Sequence, residues 1–313
     1  MNNVIIGGAG FIGSNLAKYI VNNTRQNVII IDNLSSGFYK NIKHMKKNPR
    51  FKFCLYDIRN DLNNLFSKIN PHVIYHMAGS VSVPRSFKNP SEYFSNNVIG
   101  TLNVLEAAKK YDCKVIFSSS SSVYGNSNNG LKKKETDVLS PISPYAITKK
   151  HCEELCSFYN KEYGLQTACL RYFNVYGPGQ NASSEYSGVI SKFGFNKTNN
   201  KESFIYGDGE QTRDFTFVND IVIMNRLTSY KKLSGTILNA AYGEPVSIND
   251  LVSSIGLEKV SYKEKRNGDI MNSHADISKM KNFLNYTPKF NIDKGLKVYL
   301  SYLKQKKNEF VMV

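Results

Sequence analysis

The sequence has 313 residues, of which 41% are hydrophobic and 21% charged, and this composition is ordinary for a soluble globular protein. The length fits one large domain, or a domain with an additional lobe. No apolar run approaches the roughly 20 residues of a membrane span. The N-terminus has no basic stretch followed by an apolar signal region. We therefore expect a protein that neither binds nor crosses a membrane and that is not secreted.

The formal net charge is +16, and such a charge is often found in nucleic-acid-binding proteins. The Lys and Arg residues are spread along the chain, with short clusters at Lys46–Lys47 and Lys132–Lys134. No basic helix or nucleic-acid motif accompanies them. We expect no nucleic-acid partner, and we interpret the charge as a solvated basic surface that attracts anionic ligands.

The odd number of cysteines indicates free thiols rather than a disulfide framework, and hence a reducing compartment, the cytoplasm. The five cysteines are Cys54, Cys113, Cys152, Cys156 and Cys169. Two of them lie four residues apart beside His151, which is one turn of a helix. Because no second pair has a matching spacing, we predict buried thiols on one helix face and no metal site.

Strand-like and helix-like segments alternate up to about residue 170. The predicted strands are Val4–Ile6, Val28–Ile31, Phe51–Leu55, Val73–His76, Lys114–Ser118 and Thr167–Arg171. The predicted helices are Ile12–Asn22, Asp61–Ile69, Ser91–Lys110 and Ser143–Tyr163. Continuously apolar strands separated by helices indicate a parallel sheet that is covered on both faces. The pattern predicts an α/β protein with a Rossmann-type, doubly wound parallel sheet.

The alternation fails after residue 176, where glycines, asparagines and aromatic residues become frequent. We expect residues 1–175 to form the Rossmann domain and residues 176–313 to form mainly a smaller C-terminal α/β lobe. The chain is expected to return to the first domain near residues 215–240, with a strand of the sheet around Phe215–Val218.

A glycine-rich loop follows the first predicted strand and opens a helix. Gly8, Gly10 and Gly13 satisfy the dinucleotide fingerprint, and Gly7 adds a second glycine spacing. The glycines allow a tight turn and a close approach of the backbone to a pyrophosphate, while the helix N-terminus offers free N–H groups. Asp32 ends the second strand at the distance expected for a carboxylate that binds the ribose hydroxyls. That carboxylate would repel a 2′-phosphate, so the pattern favours NAD over NADP.

Tyr145 and Lys149 are spaced to lie on one face of the helix that begins after Ser143. A phenol with a pKa of about 10 is a poor base at neutral pH. A neighbouring ammonium and the positive nicotinamide ring both favour the phenolate, so we expect the pKa of Tyr145 to be lowered. The fifth strand runs into Ser118–Ser122, where a hydroxyl could donate to a bound ligand or relay a proton.

Ordered motifs along nearly the whole chain resemble the extended short-chain dehydrogenase/reductase family, and within it the UDP-glucose/UDP-N-acetylglucosamine 4-epimerases. The motifs are GGAGFIGS, IDNLSSG, HMAGSVSVPRS, NNVIGTLNVLEAA, FSSSSSVYG, SPYAITK, LRYFNVYGPGQ, YGDGEQTRDFTFVNDI and RNGDIMNSHADISK. The resemblance implies inversion at C4 of a UDP-hexose through a 4-keto intermediate. It also implies a homodimer, formed through the helices of Ser91–Lys110 and Ser143–Tyr163.

The resemblance assigns catalysis to three residues. Tyr145 is the general base and acid, Lys149 orients it and holds the nicotinamide ribose, and Ser120 matches the catalytic hydroxyl. The cofactor residues that it implies are Gly7, Gly10, Phe11, Ile12, Gly13, Asp32, Asn33, Ser36, Gly37, Asp57, Ile58, Met77, Ala78, Gly79, Asn96, Tyr145, Lys149 and Tyr172. The substrate residues that it implies are Ser120, Ser122, Tyr145, Asn174, Gly188, Val189, Tyr206, Arg213, Arg266, Asp269 and Ser273.

Several of these residues have a specific expected role. Tyr206 matches an aromatic residue beside uracil, and Arg213, Arg266 and Asp269 match the residues that bind the diphosphate and the uridine ribose. A diphosphate needs guanidinium donors, so the residue types agree with these roles. Ser273 matches a gate position at which a small side chain admits an N-acetyl group.

Alternatives within the family are a 4,6-dehydratase and a UDP-glucuronate epimerase or decarboxylase. Dehydratases of this family place Asp-Glu directly after the catalytic hydroxyl, whereas this chain has Ser121 and Ser122, neither of which can serve as that acid. A glucuronate carboxylate could find a basic partner such as Arg85. A catalytically silent dinucleotide-binding protein is disfavoured because Ser120, Tyr145 and Lys149 are all present.

Overall fold

The computed structural model describes residues 1–125, 131–181, 188–265 and 270–311, with side chains up to residue 307. Arg266 and Asp269 lie outside the described residues. The chain divides into two compact units. The first unit consists of residues 1–125, 139–171 and 222–238, and the second contains the described residues within 126–138, 172–221 and 239–313.

The helices and strands of the first half alternate as the hydrophobic pattern predicts. They are β1 (Asn2–Ile6), α1 (Phe11–Asn23), β2 (Asn27–Asp32), β3 (Phe51–Leu55), α2 (Asn63–Ile69), β4 (Val73–His76), α3 (Val83–Lys88), α4 (Pro90–Tyr93), a π-helical segment (Phe94–Ile99), α5 (Gly100–Lys110), β5 (Lys114–Ser120), α6 (Pro144–Tyr163) and β6 (Thr167–Tyr172).

The second half has shorter strands and less regular spacing. Its elements are β7 (Val175–Tyr176), α7 (Val189–Thr198), β8 (Ser203–Tyr206), β9 (Thr212–Asp214), β10 (Thr216–Phe217), α8 (Val218–Ser229), β11 (Thr236–Ala240), β12 (Pro245–Ser247), α9 (Ile248–Ile255), β13 (Val260–Lys263), β14 (Asn272–Ser273), α10 (Ser278–Leu284) and α11 (Ile292–Val311).

In the described part of the chain, the main sheet has seven strands in the order β11-β6-β5-β4-β1-β2-β3. Strand β1 pairs in parallel with both β2 and β4, and β4 pairs in parallel with β5. Val4 and Ile74, which are neighbours across the β1–β4 ladder, are fully buried, as expected for a sheet with both faces covered. The prediction of a Rossmann-type α/β fold is confirmed.

The prediction that Phe215–Val218 forms a strand of the main sheet is wrong. Thr216–Phe217 (β10) instead pairs with Val175–Tyr176 (β7) in a separate two-stranded sheet. The chain contributes to the first unit later, through residues 222–238, and the seventh strand is Thr236–Ala240. An apolar run of four residues cannot reveal its pairing partner, which is why the sequence misplaced the strand.

The second unit has an apolar core of its own, packed between short sheets and helices. Its buried members are Tyr176, Ile190, Phe193, Ile205, Phe215, Phe217, Ile248, Leu251, Ile255, Leu296 and Tyr299. One sheet of this unit has the order β12-β9-β14, with β9 in the centre. Among all described residues of the chain, no helix combines the length and the apolarity that crossing a membrane requires.

Candidate active site

The glycine loop between β1 and α1 adopts a conformation that side chains would prevent. Gly7 has φ +79°, and a Cβ there would lie 2.6 Å from the backbone nitrogen of Ala78. A Cβ on Gly13 would lie 2.5 Å from the carbonyl oxygen of Gly7. Gly10 caps α1 without a side-chain hydrogen bond, so the first N–H groups of the helix are available to an anion. Phe11 and Ile12 form this first turn.

Asp32 ends β2 and is 8% exposed. Its carboxylate accepts the backbone N–H of Ala9 at 2.9 Å and that of Leu34 at 2.8 Å. Burial raises the pKa of Asp32, while the two backbone hydrogen bonds act in the opposite direction. The carboxylate therefore fixes the glycine loop and the turn after β2 together, and retains lone pairs for two ribose hydroxyls.

The residues expected near the adenine side form a connected surface. The Asn33 amide donates to the Asp57 carboxylate at 3.0 Å, and Arg59 pairs with the same carboxylate at 2.6 Å. The Arg59 hydrogen bond holds the pKa of Asp57 well below its usual range. Ile58 is buried and packs where Gly100 leaves space for it.

The remaining expected cofactor positions lie at strand ends or on the adjoining loop. Gly37 is buried, and a Cβ there would lie 2.8 Å from the carbonyl carbon of Ala9, whereas Ser36 is exposed. Met77, Ala78 and Gly79 follow β4 directly and are half-buried.

Asn97, the neighbour of the expected cofactor residue Asn96, organises the segment after β4. The Asn97 side chain is 2% exposed; its oxygen accepts the backbone N–H of Ser80 at 2.7 Å, and its amide donates to the Thr148 hydroxyl at 2.9 Å. Asn96 donates to the Ser80 hydroxyl at 3.0 Å. The π-helical segment brings both asparagines to Ser80, and π-helical turns are frequent at functional sites.

Helix α6 presents Tyr145 in its first turn. The Ser143 hydroxyl caps the helix by accepting the backbone N–H of Ala146 at 3.2 Å, and Pro144 occupies the first helical position. The Thr148 hydroxyl, held by Asn97, donates to the carbonyl oxygen of Tyr145 at 2.8 Å. The backbone that carries the phenol is therefore fixed from both sides.

The phenol of Tyr145 is buried, and burial raises its pKa to about 12. The Ser120 hydroxyl acts in the opposite direction and lowers that pKa. In the chain alone the pKa of Tyr145 is not lowered; the lower pKa that we expect beside both Lys149 and a bound nicotinamide ring stays a prediction. Desolvation of the phenolate outweighs the favourable contributions that the chain supplies.

The Lys149 ammonium is buried and donates to the carbonyl oxygen of Ser118 at 2.7 Å. It lies 4.6 Å from the centroid of the Phe117 ring. Burial lowers the pKa of Lys149. The cation is thus anchored near the end of β5, the strand whose last residue is Ser120.

The serine segment after β5 contains a side-chain atom suited to a ligand. Ser120 accepts the backbone N–H of Ser122 at 3.2 Å, which starts a short 3₁₀ turn. The Ser122 hydroxyl oxygen is buried and has no hydrogen-bond partner among the described residues. Buried hydroxyls are normally paired, so this atom is available to a bound molecule.

A buried ion pair lies behind the serine segment, and nothing in the local sequence pattern indicated it. Glu153 and Arg171 are 3% and 2% exposed and pair at 2.7 Å, through α6 and β6. The Ser119 hydroxyl donates to Glu153 at 2.5 Å, and Arg171 donates to the Tyr124 hydroxyl at 2.8 Å. The pair therefore holds both ends of the segment that contains Ser120.

In the second unit, Arg213 and Ser273 lie on adjacent strands. Residue 273 of β14 is paired directly with residue 213 of β9. Arg213 donates to the carbonyl oxygen of Thr212 at 2.8 Å and to that of Met271 at 3.4 Å. The strand pairing thus places Arg213, which we expect to bind the diphosphate, beside Ser273, the expected gate residue.

Tyr206 ends β8 at a cavity of about 80 Å³, which is lined by Tyr206, Gly207, Asp208, Gln211, Lys265 and Met271. Asn174 has φ +30° and donates to the carbonyl oxygen of Asp214 at 3.2 Å. Tyr172 is the last residue of β6, and Gly188 and Val189 form the N-terminus of α7. The substrate positions Asn174, Gly188, Val189 and Tyr206 all belong to the second unit. Tyr172, which we expect at the cofactor, belongs to the same unit.

The five cysteines are free thiols, and all except Cys54 are buried. Cys152 donates to the carbonyl oxygen of Asn97 at 3.2 Å, and burial raises its pKa to about 12. Among the residues that the structure describes, no group of three or more His, Cys, Asp or Glu side chains is arranged to hold a metal ion.

Comparison with known proteins identifies the family of the chain. Residues 4–299 match the family model described as GDP-mannose 4,6 dehydratase. The chain belongs to this family of extended short-chain dehydrogenases/reductases. The structure of a UDP-N-acetylglucosamine 4-epimerase from Methanobrevibacter ruminantium, in complex with UDP-N-acetylmuramic acid, is 35% identical; the match covers 97% of this chain and 98% of that one, with a TM-score of 0.91.

Two further similar structures contain ligands other than UDP-N-acetylmuramic acid. A UDP-glucose 4-epimerase from Thermotoga maritima, with UDP-glucose, is 35% identical over 98% of this chain and 100% of that one, with a TM-score of 0.91. A UDP-glucuronic acid 4-epimerase from Bacillus cereus, with UDP-glucuronic acid and NAD, is 33% identical over the same shares, with a TM-score of 0.89. The family is thus one of nucleotide-sugar enzymes, and its members differ in the sugar.

The buried ion pair predicts a large difference between two neighbouring glutamates. Glu153→Gln leaves the Arg171 guanidinium buried without a counter-charge, and we expect a loss of about 3 kcal/mol in the free energy of unfolding, measured by urea denaturation. Glu154→Gln is the matched control, because Glu154 is 59% exposed and its pairing with Lys150 spans 3.8 Å.

The double variant Glu153→Leu/Arg171→Met should recover most of that stability, since apolar residues of similar volume often replace a buried ion pair without loss. Equal effects of the Glu153 and Glu154 substitutions would contradict the interpretation.

Proposed function

We propose that this protein is an NAD-dependent 4-epimerase that inverts C4 of a UDP-hexose. The observation that carries the proposal is the placement of the buried Lys149 ammonium, which is anchored on the carbonyl oxygen of Ser118 near the Ser120 end of β5, one helical turn along α6 from the buried Tyr145 phenol. These groups lie at the end of β5, in the same unit as a glycine loop that fits a dinucleotide. Together they provide an acid/base and a hydroxyl donor for a sugar alcohol.

The cofactor proposal rests on the first unit. Gly7 and Gly13 leave no space for side chains, which suits a pyrophosphate held against the backbone. The Asp32 carboxylate suits a ribose diol and opposes a 2′-phosphate, which favours NAD. When bound, NAD would accept and return the C4 hydride, and its positive ring would favour the Tyr145 phenolate.

Tyr145 would remove the proton from the 4-hydroxyl of the sugar and later return it. Its pKa of about 12 in the protein alone keeps the phenol neutral at pH 7. The residue would therefore become a base only beside an additional positive charge, since each favourable charge lowers the pKa. Ser120 would donate its hydrogen bond to the sugar oxygen, and Lys149, anchored on Ser118, would hold the nicotinamide ribose.

We propose that the second unit binds the nucleotide of the substrate. Arg213 would bind the diphosphate, because guanidinium groups form strong, charge-assisted hydrogen bonds with phosphate oxygens. Tyr206 would lie against uracil, and Asn174 would contact the sugar nucleotide. If binding energy comes mainly from the nucleotide, the 4-keto sugar remains free to turn and accept hydride on its other face.

A UDP-glucuronate epimerase or decarboxylase is the second candidate, since the B. cereus relative binds UDP-glucuronic acid. A sugar carboxylate would need a basic partner, and Arg85 was the expected one. Its guanidinium already pairs with Glu92 at 2.9 Å. That pair would have to open before Arg85 could bind a sugar carboxylate. The presence of Ser121 and Ser122 in place of an acidic pair favours epimerisation over dehydration.

The proposed reaction predicts which substrates the pure protein converts. UDP-glucose, UDP-galactose, UDP-GlcNAc and UDP-GalNAc are incubated separately, with and without added NAD, and the products are identified by proton NMR. We expect inversion at C4. Tyr145→Phe removes the acid/base group and should lower kcat by about 10³-fold.

Absence of inversion of all four substrates with added NAD would reject the proposal, and conversion of UDP-glucuronate instead would establish the second candidate. Cys54→Ser is a suitable control variant, because Cys54 is a half-buried residue on the outermost strand of the main sheet.

We further propose that the enzyme accepts N-acetylated sugars, because the gate position is a small residue. Ser273→Tyr should lower kcat/KM for UDP-GlcNAc by about tenfold or more and change that for UDP-glucose much less, since a steric block acts on the larger sugar first. The two values are compared in the same NMR assay, with Ser273→Ala as the control that keeps the space open. An equal decline with both sugars would contradict the gate.

A homodimer is our proposal for the assembly. Large apolar side chains are exposed on the helices of the first unit: Phe87, Ile99, Phe158 and Tyr163 are 61%, 48%, 50% and 52% exposed. Exposed apolar side chains of this size often mark an interface between proteins. The free thiols support our proposal that the enzyme works in the cytoplasm.

Phe158→Glu should convert the dimer to a monomer, because it would bury an unpaired carboxylate in the interface. The measurement is the molar mass by light scattering, which should fall to the 35.4 kDa of one chain. Phe204→Glu is the control, since Phe204 is an apolar residue of the second unit that is also exposed, at 39%. If the wild-type protein already has the molar mass of one chain, the proposed homodimer is excluded.

A further inference from the structure

One fully buried carboxylate joins the three strands β12, β9 and β14 of the second unit. Asp214 is the last residue of the central strand β9 and is 0% exposed. Its two oxygens each lie 3.1 Å from the backbone nitrogen of Gly243, which precedes β12. The same carboxylate accepts the backbone N–H of Ala275, which follows β14, at 3.1 Å.

The residues that this carboxylate holds adjoin the expected nucleotide-sugar residues. Arg213 precedes Asp214 on β9, and Ser273 lies two residues before Ala275 and pairs with Arg213. The backbone carbonyl of Asp214 also accepts the side-chain amide of Asn174. The strands concerned are short, with three residues in β9 and two in β14, so the ladder alone supplies few hydrogen bonds.

We propose that Asp214 is a positioning residue for nucleotide-sugar binding: its carboxylate, by accepting backbone N–H groups just before β12 and just after β14, holds Arg213 and Ser273 side by side. This inference rests on the proposed function, because it assigns Asp214 to the binding of the UDP group. Asp214 itself would touch no substrate and would act only through the strands that it joins.

The charged surroundings of Asp214 make its protonation state matter. Burial raises the pKa of Asp214 to about 7, against the backbone N–H groups of Ala275, Gly243 and Tyr242, and the negative charge of Glu244 raises it further. The nearby titratable groups are the Tyr242 phenol, whose pKa is also raised, and the His274 imidazole, which contacts the carbonyl oxygen of Gly243 at 3.0 Å. Above pH 7 the ionised carboxylate accepts all of these N–H groups.

Below pH 7 the protonated carboxyl group loses part of its capacity as an acceptor, so the binding of a nucleotide should weaken as the pH falls. Stability should change in the opposite direction. Since the folded-state pKa lies above the unfolded value, the folded chain binds the proton more tightly, and this residue stabilises the fold more at pH 5 than at pH 8. A purely structural role for Asp214 would therefore not weaken UDP binding at low pH.

The experiment compares Asp214→Asn with Asp220→Asn in the full-length protein. Asp220 is the matched control because it is a buried carboxylate of the same unit, 1% exposed, that accepts the backbone N–H groups of Lys289 and Phe290. Calorimetry measures the Kd for UDP from pH 6 to pH 8.5. We expect Asp214→Asn to raise the Kd about tenfold at pH 8, which corresponds to one lost hydrogen bond with a charged group.

The pH profile and the kinetic constants complete the test. In the wild type the Kd for UDP should rise as the pH falls through 7, and in Asp214→Asn this dependence should be absent. KM for the UDP-sugar should rise with the Kd while kcat changes less than about twofold, since Tyr145 is unaffected. Equal effects of Asp214→Asn and Asp220→Asn on the Kd, or an unchanged pH profile in Asp214→Asn, would overturn the inference.

Amide hydrogen exchange separates this inference from the proposed function. Residues 243–247 and 272–276 should exchange faster in Asp214→Asn than in the wild type or in Asp220→Asn. If the wild type binds no UDP at pH 8, the proposed function fails, and faster exchange in Asp214→Asn would still support the joining of the strands. Unchanged exchange in these two segments would overturn it whatever the protein binds.

Discussion

The ion pair of Glu153 and Arg171 is the interaction on which the geometry of the catalytic residues depends. Two charges removed from water are costly unless every remaining donor and acceptor is also paired. Here Ser119 and Tyr124 pair with them, and so fix the two ends of the segment that contains Ser120. Because Glu153 lies one turn beyond Lys149 on α6, the same pair also sets the position of that helix against β5 and β6.

The buried phenol of Tyr145 gives the site a conditional chemistry. A tyrosine whose pKa is about 12 cannot act as a base at neutral pH in the protein alone. The Lys149 ammonium donates to the carbonyl oxygen of Ser118 and does not compensate for the desolvation of a Tyr145 phenolate. Under the proposed mechanism, a bound NAD would both accept the hydride and lower the pKa of Tyr145. The protein without NAD would therefore not remove protons from a sugar.

Local patterns predicted the parts of the structure that depend on local sequence. The apolar strands, the glycine loop and the Tyr145–Lys149 spacing each follow from a few consecutive residues, and β3 and β4 were predicted to the residue. The ion pair was missed because its partners come from different elements and meet only when α6 packs on β6. The strand at Thr216–Phe217 was misassigned for the same reason, since the pairing of a short apolar run depends on the rest of the fold.

The packing role of Asn97, beside the expected cofactor residue Asn96, was not predicted for a different reason. Two adjacent, identical residues differ by about 100° around an ordinary helix, so the face that they occupy would decide between them. The π-helical segment changes that relation, and it brings both side chains to Ser80. No periodicity argument that assumes an α-helix could have distinguished them.

The π-helical segment also links chain length to the shape of the site. A π-helical turn accommodates one residue more than the α-helical turn that it replaces. Removing a single residue between Phe94 and Ile99 would convert the wide turn into an α-helical turn and would leave the helix on either side in nearly the same orientation. Because adjacent residues of a regular α-helix are about 100° apart, Asn96 and Asn97 would no longer both reach Ser80. The number of residues in this segment is therefore more strongly constrained than most of its side chains, because the geometry of the site depends on that number.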